Sequence, residues 1–101
     1  MKPRHVDDRE AALVALLQRF YASELSDGQL LRALRRDVLG LSQTRYAALV
    51  GISRRTLSDL EGDKGNVTLE LKNRVFRPLG LEVTLLPRKR ALLAQALPPT
   101  K

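Results

Sequence analysis

Residues Gln43 to Leu60 read QTRYAALVGISRRTLSDL, and this stretch decides how the chain folds. Ser42 and Ser53 each stand where a serine caps a helix start. Two short helices are therefore expected, one from Gln43 to about Val50 and one running to about Glu61. They meet at Gly51, a residue that adopts positive φ without steric cost. Ala47 is small enough to let the two helices approach. Tyr46, Val50, Ile52, Leu57 and Leu60 fall at the positions that point into the angle between two steeply crossed helices. An unremarkable helical hairpin with a chance glycine does not require all of these at once.

The outward positions of the second helix are Ser53, Arg54, Arg55, Thr56, Ser58 and Asp59. A helix so equipped suits the DNA major groove. Its exposed N-terminal amides favour a phosphate. Arg54 and Arg55 have the reach and forked geometry to take two acceptors of a guanine. Ser58 can accept or donate at a base edge or a phosphate. Asp59 can accept from cytosine N4 or orient an arginine by a salt bridge. Gln43 and Thr44, at the start of the first helix, suit phosphate contacts that set register. Lys64, just beyond the second helix, completes the DNA-binding set. The competing reading of Arg54 and Arg55 is a solvated helix face.

Other helices follow from periodicity and caps. Asp7 to about Glu24 reads as a helix, with Asp7 as cap and Glu10 three residues on. Leu13, Leu16, Leu17 and Phe20 recur at helical spacing, and Val14 and Tyr21 widen the stripe. This face must be covered by its own domain or by a second subunit. Ser26 caps the next helix, Gln29 can reach back to it, and Leu25 and Leu30 take the staple positions. That helix buries Leu30, Leu31 and Leu34, runs to about Val38 and stops at Gly40. Gly62, Gly65 and Asn66 mark a loop. Thr68 caps a helix from Leu69 towards Leu79, Pro78 weakens its last turn and Gly80 ends it.

Leu81, Val83 and Leu85 alternate with Glu82 and Thr84, which reads as one strand in an otherwise helical chain. A lone strand leaves backbone groups unpaired. Pairing with the same strand of a second copy would bury Leu81, Val83 and Leu85 about a twofold axis. The alternative is an extended segment lying on its own helices. Beyond Pro87, the block from Ala91 to Leu97 is too short to be a stable helix alone. A mobile tail or a partner-binding peptide is expected there. The divisions are thus an N-terminal helical extension (1–25), a DNA-binding domain (26–80), a dimerisation strand (81–87) and a basic tail (88–101).

Bulk composition agrees with one domain and a modest core: 101 residues, of which 44% are hydrophobic. No cysteine is present, so disulfides and cysteine-ligated zinc are excluded. No apolar run approaches the ~18 residues of a membrane span, and the first eight residues lack the apolar stretch of a secretory signal. A soluble cytoplasmic protein is expected. The net charge of +7 is uneven, with +4 from Arg88, Lys89, Arg90 and Lys101 in the last fourteen residues. Such a balance fits a polyanionic partner, although a basic tail is often only a solvated end. His5 is the single histidine. Asp59, Glu61, Asp63 and Glu70 echo a calcium loop, but Lys64 stands where the loop needs glycine. No nucleophile-plus-base set and no phosphate-cradling glycine loop exists. The expectation is no enzyme, no metal and no cofactor.

With Leu41-Ser42-Gln43 leading and Ser58 to Glu61 closing, the motif resembles the Xre (Cro/CI-type) helix-turn-helix family. The continuation from Thr68 and Leu69 to Leu79 through Leu85 is similar to HipB-type antitoxins, in which a strand after the last helix pairs across the dimer. The resemblance spans residues 26–86. It implies an all-α, lambda-repressor-like helix-turn-helix bundle with an extra N-terminal helix and one C-terminal β-strand pairing across a homodimer. It implies base contacts from Arg54, Arg55, Ser58 and Asp59 and a phosphate contact from Gln43. It also implies a palindromic operator in the chain's own promoter and a toxin partner, often a HipA-like kinase, whose operon it would autoregulate. Two rivals stand beside that antitoxin role: a solitary phage-type or metabolic repressor, and a module whose main task is to neutralise a protein partner. The helix at 7–24 precedes the family's usual start, and extension of the dimer or a toxin contact are the two uses expected of it. Lys72 and Asn73 stand where members commonly place apolar residues, which bears on how the helix after Thr68 packs.

Overall fold

The computed structural model describes residues 6–98. Its helices are α1 (Val6–Tyr21), α2 (Asp27–Ala33), α3 (Gln43–Val50), α4 (Arg54–Glu61), α5 (Leu69–Phe76) and α6 (Arg90–Ala96). A π-helical turn, Leu34–Val38, prolongs α2, and a 3₁₀ turn, Arg77–Leu79, prolongs α5. The fold is all-α.

Helix starts are set by side-chain caps. Ser26 forms a full capping box: its Oγ accepts from the Gln29 N–H at 3.1 Å, and the Gln29 side chain accepts from the Ser26 N–H at 2.9 Å. Thr68 accepts from the Leu71 N–H at 3.1 Å. Stops are set by left-handed residues. Gly40 has φ 68° and Gly80 has φ 82°. Beyond Gly80, the Leu81 N–H returns to the Phe76 carbonyl at 3.1 Å, closing the end of α5.

One core joins the elements. It contains Leu30, Leu31, Leu34 and Val38, then Tyr46, Ala47 and Val50, then Leu57 and Leu60, then Val75, Phe76 and Leu79. Helix α1 lies on α2 and its π-helical turn within the same chain. It lays Leu13, Leu16, Leu17 and Phe20 against the core. Its own domain therefore covers the stripe.

Several expectations are corrected. Val14 and Tyr21 do not widen the buried stripe of α1; they are 53% and 42% exposed. Each lies about 100° around the helix from its neighbour in the stripe, which is already wide enough to dock. Asp7 is inside α1 rather than at its cap, because the helix begins at Val6. The helix ends at Tyr21 rather than near Glu24, since Ser23 takes φ 63°. Lys72 and Asn73, polar where family members commonly place apolar residues, make tertiary contacts: Lys72 Nζ lies 2.7 Å from Asp27 Oδ2, and Asn73 Oδ1 accepts from the Val83 N–H at 2.9 Å.

Residues 81–87 form no strand within the chain, and no strand occurs among the described residues. A strand needs a partner edge, and one copy supplies none. Leu81 and Val83 still turn inward and are half-buried, while Leu85 is 96% exposed. The alternation thus holds to Val83 and lapses at Leu85. No helix among the described residues is long and apolar enough to cross a membrane. His5 and Lys101 lie outside the described residues.

Candidate nucleic-acid interface

The two motif helices are built as their caps require. Ser42 Oγ accepts from the Arg45 N–H at 3.1 Å to start α3. Gly51 ends α3 with φ 77° and ψ 37°. A β-carbon at Gly51 would meet nothing within 4 Å, so the requirement there is conformational, not steric crowding. Ser53 accepts from the Thr56 N–H at 3.0 Å and donates to Thr56 Oγ1 at 2.8 Å. Both hydroxyls are thereby committed to the start of α4.

The faces of α4 separate cleanly. Leu57 is fully buried and Leu60 is nearly so. Ser53, Arg54, Arg55 and Ser58 are exposed, while Thr56 and Asp59 are half-buried. Neither Arg54 nor Arg55 enters an ion pair among the described residues, and no ion pair links Asp59 to an arginine. Thr44 and Lys64 are exposed beside this face in sequence, and the Lys64 N–H closes α4 on the Asp59 carbonyl at 2.8 Å. Gln43 is half-buried, and its Nε2 donates to Glu61 Oε1 at 3.0 Å. One of its two amide hydrogens is thus engaged inside the protein.

Beneath the face lies an ion pair that the sequence reading did not identify. Arg35 Nε lies 2.6 Å from Glu61 Oε2, and Nη2 lies 2.9 Å from Oε1. Arg35 Nη1 donates to the Leu41 carbonyl at 2.7 Å. The two side chains are 7% and 4% exposed. This group joins the π-helical turn, the entry to α3 and the last residue of α4. A sequence signal for it exists. Arg35 sits four residues after Leu31 and three before Val38, on the apolar stripe, and Glu61 sits four after Leu57 on the inward face of α4. A charge on a buried stripe needs a partner.

Two further ties hold α4. A β-carbon at Gly28 would stand 2.5 Å from the Leu60 carbonyl and 2.6 Å from that of Glu61, so α2 begins directly against the end of α4. Asp63, just past α4, accepts from the Gly28 N–H at 2.8 Å and from the Ser26 hydroxyl at 2.6 Å. On the other side of the motif, the Tyr46 hydroxyl donates to the Val75 carbonyl, joining α3 to α5. Burial pushes the Tyr46 phenol up to about 12. Glu61 and Asp63, two members of the calcium-like run, are thus committed to arginine and to capping. Among the described residues no group of three or more histidines, cysteines or carboxylates is placed to hold a metal.

The arrangement is a pair of packed helices, α4 buried on one side and carrying on the other two arginines with no ion-pair partner among the described residues. The helix-turn-helix family profile matches residues 31–86, a span that includes α3, α4 and every expected DNA-binding residue. No curated protein and no solved structure matches the chain. The chain belongs to the Xre-type helix-turn-helix family of DNA-binding transcription regulators.

Proposed function

We propose that the chain is a sequence-specific repressor that places α4 in the major groove of a palindromic operator as a homodimer. The observation that carries this reading is the pair Arg54 and Arg55: exposed, without ion-pair partners among the described residues, and on the first turn of a helix whose other face is locked into the core. In this reading the two arginines and Ser58 meet base edges, with Asp59 at the margin of the contact. Thr44, Lys64 and the remaining N–H of Gln43 meet phosphates. Ser53 and Thr56 present the capped helix start.

Two half-sites about 34 Å apart, or a small multiple of that, match the twofold. The dimer contact is assigned to the segment that carries Leu81, Val83 and Leu85, with Leu85 the one of the three left exposed for it. The exposure of Leu85 supports that assignment. The similarity of residues 68–85 to HipB-type antitoxins supports a finer role: the chain neutralises a HipA-like kinase toxin and autoregulates their operon in the bacterial cytoplasm. It performs no catalysis and carries no cofactor or metal. A solitary repressor is the reading to hold if no toxin gene adjoins.

An operator selected from a random oligonucleotide pool provides the test. Arg54→Ala and Arg55→Ala should each weaken binding by ~1–3 kcal/mol and relax base preference, with unchanged melting temperature. Wild-type binding by both variants would unseat α4 as the reading helix. Co-purification with the product of an adjoining kinase-like gene tests the antitoxin role.

A further inference from the structure

Glu61, the last residue of α4, is bonded to Gln43, the first residue of α3. We infer that Glu61 is the positioning residue for the Gln43 phosphate contact, holding the Gln43 amide in its DNA-binding orientation before a duplex arrives. The inference rests on the phosphate contact proposed for Gln43 and names the residue that prepares it.

The chemistry of the pair fixes the amide. A carboxylate paired with arginine accepts hydrogen bonds and donates none, so only the nitrogen edge of Gln43 can face it. Nε2 donates to Glu61 Oε1 at 3.0 Å. The second hydrogen on that nitrogen diverges from the first and is held away from Glu61. Neither it nor the amide oxygen has a hydrogen-bond partner among the described residues. A donor of settled direction thus stands on the first turn of α3, where a phosphate contact sets register.

The holder is itself held. Arg35 takes both oxygens of Glu61, with Nε 2.6 Å from Oε2 and Nη2 2.9 Å from Oε1. The Glu61 side chain is 4% exposed. Arg35 Nη1 donates to the Leu41 carbonyl at 2.7 Å, two residues ahead of Gln43. One guanidinium therefore fixes both the chain entering α3 and the carboxylate that grips its first side chain. A free glutamine has several rotatable bonds to order when it meets a phosphate. Ordering one long side chain weakens an interface by about three- to tenfold, and a glutamine ordered in advance escapes that loss.

The test uses the full chain and the selected operator duplex, with affinity read by fluorescence anisotropy and folding by thermal melts. Gln43→Ala should weaken binding about tenfold. Arg35→Met/Glu61→Leu removes the lock together with one charge of each sign, so the net charge that attracts DNA is unchanged. It should weaken binding about three- to tenfold. Adding Gln43→Ala to it should then cost less than about threefold more. Arg35→Met/Glu61→Gln returns an acceptor to Gln43 and should return the full cost of Gln43→Ala. Ser26→Ala loosens the end of α4 through Asp63 but leaves the lock in place, and should also keep that full cost. NMR relaxation on the free wild-type chain needs no variant: Gln43 Nε2 should have an order parameter near that of rigid backbone, about 0.85. An additive cycle, in which Gln43→Ala costs as much without the lock as with it, overturns the inference. So does loss of that cost in Ser26→Ala, or an order parameter below about 0.6. Wild-type binding by Gln43→Ala overturns it too and leaves Arg54 and Arg55 as the base readers. A wild-type chain that selects no operator overturns both the inference and the proposed function.

Discussion

Glu61 is the residue on which the interface depends most, although it points away from any groove. Its carboxylate holds Arg35 through two buried contacts and Gln43 through a third that is part-buried. Glu61→Ala leaves the Arg35 guanidinium buried and uncompensated, so stability in urea should fall by ~3–5 kcal/mol. Replacing both partners with apolar residues, Arg35→Met/Glu61→Leu, should recover most of that loss, because desolvation of the charges then disappears as well. Gly28→Ala meets backbone carbonyls at both Leu60 and Glu61, and neither can move without α4. A loss of ~1–3 kcal/mol, seen as a lower melting temperature, is expected. Tyr46 makes stability depend on pH at the alkaline end. The unfolded chain loses the phenolic proton near pH 10 and the folded chain near 12. The folded state thus binds the proton more tightly, and this contribution is fully present below pH 10 and is lost as pH rises from 10 to 12. Melts of wild type and Tyr46→Phe across that window should converge as the pH climbs.

Among the elements, α4 shows why sequence reading served the motif well. Its start depends on Ser53 and its entry angle on Gly51, and both act through bonds spanning three to five residues. Ser53→Ala should cost ~1 kcal/mol in thermal denaturation and loosen the turn that carries Arg54 and Arg55. DNA affinity should fall with it, while the Gly51 turn stays intact. The same locality made Ser26, Ser42 and Thr68 readable as caps. It did not make Asp7 one: α1 already includes Val6, and its limit at the other end came from Ser23 adopting positive φ. Helix ends without a committed side chain are set by what the flanking chain packs against, and a pattern of apolar residues does not contain that.

At the scale of the whole molecule, the segment after Gly80 divides its residues between two tasks. Leu81 and Val83 are held on the domain by the Phe76 carbonyl and the Asn73 side chain. Leu85 stands 96% exposed, with nothing of its own chain over it. Leu85→Asp should therefore leave the unfolding free energy of the single chain within ~0.5 kcal/mol. In the proposed homodimer the same change should shift sedimentation towards the monomer and reduce operator binding. A variant that sediments as wild type does would move the dimer contact elsewhere. Helix α1 illustrates the opposite limit. Its apolar stripe was plain in the residues, yet only packing showed that α2 and the π-helical turn of the same chain receive it.

The residues alone determined the helical periods, the four serine and threonine caps, the glycine turn and the outward placement of Arg54 and Arg55. Each of these is a contact between groups a few positions apart, so the local chain contains all of its physics. Tertiary structure alone decided that Arg35 and Glu61 are each other's partners, the clasp of Asp63 on the head of α2 and the seat of α1. The first two join groups 26 and 35 residues apart. Such contacts exist only once several helices have settled at definite angles, because a hydrogen bond needs its partners within a few tenths of an ångström and no pattern along the chain specifies distances that small.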